Sequence, residues 1–147
     1  MLFHFELHDA GWATVFFAQG AASHELPFSY LRDSPRDMIE AVVRLLRGSA
    51  EERVTFMQEP GEVVLQMRRL AGDLIHLKLF EGEDWGMADV AGGEPVFRHK
   101  LPLARLPGIV EAEFGRMLRE SSPADYQARW GFAFPAQPLE EMRARLR

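Results

Sequence analysis

Apolar and polar positions alternate from the first residues of the chain. Phe3, Phe5 and Leu7 are set against His4, Glu6 and His8, the two-residue period of a strand with one buried face. Asp9-Ala10-Gly11 supplies a turn, and Trp12 to Ala18 is apolar at nearly every position, as an interior strand requires. After Gln19-Gly20, the stretch Ser23 to Phe28 predicts a third strand. Pro27 cannot donate to a ladder, so this strand belongs at an edge. The period then changes. Met38, Ile39, Val42, Leu45 and Leu46 form one stripe of a helix over about 35–47, with Ser34 as N-cap, Pro35 at its first position and Gly48 as its stop.

A second set of strands follows. Arg53 to Met57 and Glu62 to Arg69 flank Glu59-Pro60-Gly61-Glu62, where Pro60 and Gly61 suit the central positions of a type II turn. Ala71-Gly72-Asp73 turns the chain into Leu74 to Phe80, in which Ile75, Leu77 and Leu79 oppose His76 and Lys78. Residues 81–94 read as a long acidic loop, and Val96 to Leu101 as the last strand candidate. The remainder is helical. Leu106, Val110, Phe114 and Met117 mark a helix over about 106–120, and Ser122-Pro123-Ala124-Asp125 caps a short one ended by Gly131. Trp130, Phe132 and Phe134, with Tyr126, form an aromatic group expected in the core. A final short helix from Pro138 carries Leu139, Met142 and Leu146 on one side.

Strand runs joined by short turns imply antiparallel pairing. The expected architecture is therefore α+β: one antiparallel sheet of six or seven strands with helices packed on one face, forming a single domain over residues 1–147. The segment Phe28-Ser29-Tyr30-Leu31-Arg32-Asp33, followed by Asp37, and the later Glu59-Pro60-Gly61-Glu62 turn resemble a pattern in a family of uncharacterised small bacterial proteins. That resemblance covers about the first half of the chain. It implies the strand–helix–turn order and carries no activity with it.

Composition narrows the classes. The chain is 47% apolar and 27% charged, ordinary for a folded domain, and has no cysteine, which removes disulfides, thiolate metal sites and cysteine nucleophiles. No apolar run reaches the roughly 20 residues of a membrane helix, and no signal-peptide pattern opens the chain, so a cytoplasmic protein is expected. Net charge is −5, with 16 acids against 8 bases over residues 1–97 and 6 against 9 over 98–147. An acidic body disfavours nucleic acid. The later arginines, Arg105 to Arg147, alternate with glutamates and read as solvated helix faces. Only two lysines occur, Lys78 and Lys100.

Catalytic spacings are lacking: there is no nucleophile elbow, P-loop, zincin motif or dinucleotide fingerprint. His4 and His8 share a strand face but lie about 13 Å apart at about 3.3 Å per residue, too far to share a metal. His4, Glu6, His8, His76, Lys78 and His99 are expected on one polar sheet face, where His76 or His99 with a carboxylate gives a third reading, a hydrolase. Glu81, Glu83, Asp84 and Asp89 surround Trp85, an aromatic anchor among charges that would steer a basic partner. The expectation is a non-catalytic domain without a cofactor that binds another protein in a neutralising or regulatory role, a homodimer being open. The alternative is a small apolar ligand held between sheet and helices, among the 11 phenylalanines and 7 methionines.

Overall fold

The computed structural model describes residues 1–146; Arg147 lies outside the described residues. Strands β1 (Leu2–Leu7), β2 (Trp12–Gln19) and β3 (Ala22–Ser29) lead into helix α1 (Ser34–Leu46). Strands β4 (Glu51–Met57), β5 (Glu62–Leu70), β6 (Leu74–Gly82) and β7 (Phe97–Pro102) follow, and then helices α2 (Leu106–Glu120), α3 (Pro123–Trp130) and α4 (Ala136–Ala144). All strand pairs are antiparallel, and the class is α+β.

The strands do not form the single sheet expected. They divide into a three-stranded sheet ordered β1-β2-β3 and a four-stranded sheet ordered β4-β5-β6-β7. The reason lies in the edges that would have to join. Pro27 of β3 has no N–H, and its carbonyl is taken by the Gln58 side-chain amide at 3.1 Å. On β4, the Thr55 carbonyl accepts from Ser34 Oγ at 2.5 Å. Side chains thus occupy edge groups that a joining ladder would need. Ser34, expected as an N-cap, has its hydroxyl committed to this bond, and Asp33 precedes the helix without a side-chain cap.

The inner faces of the two sheets meet through aromatic rings. Phe17 of β2 lies 6.2 Å from Phe56 of β4 and 6.1 Å from Phe97 of β7, and Phe28 lies 5.1 Å from Phe56. The helices do not roof one sheet face. Helix α1 packs on β4 and α4, α2 on β1 and α4, and α3 on β1 and β2. Met38, Ile39, Val42 and Leu45 of α1 join one buried cluster with both sheets and with Phe114, Tyr126, Trp130 and Met142.

Most local signals hold. Ser122 Oγ accepts the Asp125 N–H at 3.0 Å to start α3, and Gly131 ends it at φ +101°. Helix α2 spans the expected residues, and Pro27 lies in an edge strand. In the β4–β5 turn the Glu59–Pro60 peptide is cis and Gly61 takes φ +102°. One signal does not hold: helix α4 stops at Ala144, leaving Leu146 exposed rather than on its buried side.

Candidate functional site: the outer face of the four-stranded sheet

Strand alternation puts Glu62, Val64, Gln66 and Arg68 of β5 on the outer face, while Val63, Leu65 and Met67 point into the core. The acidic loop folds back over one half of this face. The Glu62 carboxylate, itself buried, accepts the Gly86 N–H at 2.7 Å and the Ala88 N–H at 3.2 Å. Trp85 donates its indole N–H to the Gln58 carbonyl at 2.6 Å. Two short connections make this approach possible only at glycine: a Cβ on Gly82 would stand 2.5 Å from the Ala88 nitrogen, and one on Gly93 would stand 2.5 Å from the Asp89 carbonyl. Val64 and Phe80, on the same half of the face, are buried.

Of the loop residues singled out from sequence, Trp85 keeps half its surface exposed. Asp84 and Asp89 are spent on local turns, Asp84 accepting the Trp85 N–H at 2.8 Å and Asp89 the Gly92 N–H at 2.9 Å. Glu81 and Glu83 are exposed.

The other half of the face is cationic. Cross-strand register sets Glu51, Arg68, His76 and Lys100 side by side in one row, and Arg53, Gln66, Lys78 and Arg98 in the next. Neighbouring strands are about 4.8 Å apart and alternate residues about 6.8 Å apart, so five permanent cations form a close grid. Both lysines of the chain stand in it. Gln66 lies beneath the long side chains, 2% exposed, donating to Glu51 at 2.8 Å. Glu51 also accepts from Arg68 at 3.1 Å and Arg53 at 3.2 Å. Slight burial opposes its ionisation, but the Arg68 and Arg53 contacts outweigh that and hold its carboxyl below the usual value. Arg98 is paired with Glu94 at 2.7 Å. Lys78 and Lys100 have no ion-pair partner among the described residues. Partial burial, then Lys78, Lys100, Arg98 and Arg68, push His76 below the ordinary histidine range.

The polar residues expected on one face are not brought together. His4, Glu6 and His8 belong to the other sheet. His99 pairs with Leu77, on the opposite face from His76 and Lys78. Its pKa is lowered by burial, then by the Met1 amino group and Arg105. His4 Nδ1 lies 3.2 Å from Glu113 Oε1, and His8 Nε2 lies 2.7 Å from Thr14 Oγ1. Among the described residues no group of three or more His, Asp or Glu side chains is placed to hold a metal ion.

Sequence reasoning missed two polar residues that organise the structure. Glu113 of α2 reaches β1, and Arg116 beside it does the same, donating to the Phe5 carbonyl at 2.9 Å. Arg116 lines one wall of an open groove of about 550 Å³ between β1 and α2, with Glu6, Glu120, Asp125 and Arg129. Arg116 is bound to Glu113 and Glu120, and Arg129 to Asp125, so both arginines of the groove are paired. The interior between the sheets is filled by Phe5, Phe17, Phe28, Phe56 and Leu65, each at most 1% exposed. Among the described residues no helix is long and apolar enough to cross a membrane. No known protein family, curated protein or solved structure matches this chain.

Proposed function

We propose that the chain is a cytoplasmic, non-catalytic domain that binds an acidic protein through the uncovered cationic half of the four-stranded sheet. The observation that carries this reading is the segregation of charge. In a chain of net charge −5, both lysines and three arginines share one sheet face. Like charges placed side by side across strands cost stability unless something else is gained. Complementary charge raises the rate of encounter and fixes the register of a partner. The partner is a protein rather than a nucleic acid because the cationic rows contain no Phe, Tyr or Trp side chain on which bases would stack.

The test uses polyglutamate, polylysine and an oligothymidylate of matched length, titrated against the folded chain at low salt. Polyglutamate binding that weakens with added salt and disappears in the charge-reversed Lys78→Glu/Lys100→Glu variant is the expected result. Tighter binding of the oligothymidylate, or no binding of polyglutamate, overturns the reading. A second reading has its own observation: Trp85 and Met87 are 50% and 67% exposed on the acidic loop, an anchor for a basic partner. It calls instead for polylysine binding that Trp85→Ala weakens.

A further inference from the structure

We infer that the centre of the cationic half-face, around His76, receives a phosphorylated side chain of the partner. This rests on the protein-docking reading and specifies which group of the partner sits there. Arg68 on β5 and Lys100 on β7 directly flank His76 across the strands, with cross-strand Cβ atoms about 4.5–5.5 Å apart. Lys78 is two residues further along the same face of β6, and Arg98 lies diagonally opposite on β7. Four cationic side chains from three adjacent strands therefore surround one imidazole.

The counter-charges on this face are already engaged at its margins. Glu51, at the β4 end of the His76 row, bonds Arg68, Arg53 and Gln66, and Glu94 bonds Arg98 from beyond β7. Lys78 and Lys100 remain without a carboxylate. A single carboxylate would bring one negative charge to this cluster. A phosphoryl group brings close to two, with three acceptor oxygens that Lys78, Lys100 and a protonated His76 can meet together. Binding of a dianion must favour the imidazolium. By reciprocity, binding of the dianion raises the His76 pKa.

The experiment compares an acidic peptide carrying one phosphoserine with the same peptide carrying glutamate there, alongside inorganic phosphate and sodium chloride at equal ionic strength. Calorimetry reads affinity, and the His76 ring-proton NMR shift reads its titration. The phosphopeptide is expected to bind about tenfold more tightly than the glutamate peptide and to raise the His76 pKa by about one unit over the chloride control. A folded Lys78→Gln/Lys100→Gln variant, checked by its unfolding transition, should lose both effects. Equal affinities for the two peptides, or a His76 titration that moves as far in chloride, overturn the inference. So does inorganic phosphate binding as tightly as the phosphopeptide. Retained polyglutamate binding in those cases leaves the docking reading standing, so the two fail separately.

Discussion

The Glu113 carboxylate accepts the Phe5 amide N–H at 3.1 Å, joining residues 108 positions apart in the chain. The Arg116 guanidinium closes the other half of the same peptide edge by donating to the Phe5 carbonyl. The His8 N–H to Trp12 carbonyl bond sets the β1–β2 phase, so Phe3, Phe5 and Leu7 turn their backbone groups away from β2. One carboxylate and one guanidinium on successive turns of α2 thus stand where another strand would pair. Glu113→Ala leaves the Phe5 N–H without its acceptor and takes from Arg116 one of its two carboxylates, and should cost about 2 kcal/mol in urea unfolding. The Glu113→Ala/Arg116→Ala double variant should cost clearly less than the sum of the singles. Additive losses would show that the pair does not act as a unit.

Glu62 offers a separate handle on the acidic loop. Replacing it with alanine removes the acceptor for the Gly86 and Ala88 amides, a loss of about 2 kcal/mol of local stability. Amide hydrogen exchange at Gly86 and Ala88 should accelerate about thirtyfold, while the β5–β6 ladder keeps its protection. Unchanged exchange at those two amides would show that the loop is held by other contacts.

Gly11 combines two demands in one residue. Its φ is +77°, and a Cβ there would stand 2.4 Å from a carbon of the Tyr30 ring. Gly11→Ala should cost about 2 kcal/mol in thermal or urea unfolding. Adding Tyr30→Ala removes the clash and leaves only the backbone strain, so the double variant should recover about 1 kcal/mol of what the first substitution lost. No recovery would place the whole cost in the backbone.

Asp33 makes stability depend on pH. Burial raises its carboxyl above the ordinary value, against the lowering effect of the Trp130 indole hydrogen bond at 2.9 Å. Above the unfolded value of about 4, and up to the raised folded value, the folded chain keeps a proton that the unfolded chain has lost. Stability therefore declines as pH rises through that window. Asp33→Asn keeps an acceptor for the indole and removes the titration, so its urea midpoint should fall less between about pH 4 and pH 7. A smaller decline remains expected from Asp37, raised by burial and by Asp33 and Glu40. Identical pH profiles for the two proteins would remove Asp33 as its source.

Local grammar was legible where the deciding interaction lies within a few residues. Ser122 and Asp125, the stop at Gly131 and the helical stripe of α1 all belong to that class. Partition into two sheets was not, because it turns on Ser34 meeting Thr55 and Gln58 meeting Pro27, contacts made across 21 and 31 residues. His99 shows the same limit: the connection before β7 is long, so its register, and hence its face, could not be counted from a tight turn. Half of the cationic site was within reach. The turn around Gly72 sets Arg68 opposite His76, and the polar phase of β6 was already apparent in His76 and Lys78. Glu113 and Glu62 gave no local sign, since a glutamate on an amphipathic helix or at a strand start is ordinarily solvated.

Each sheet is a meander of sequence neighbours, whereas the ties between the chain's two ends, Phe5 with Glu113, Gly11 with Arg129 and Asp33 with Trp130, span about a hundred residues. Closing a long loop is entropically costly and is rewarded only after nearer contacts exist. The two meanders are thus expected to assemble early, with the C-terminal helices closing over them last as a clasp. Until those helices close, Phe5 and Phe28 lack the rings of Phe114 and Trp130 that pack on them, and the interval before that closure is when the chain is most open to self-association.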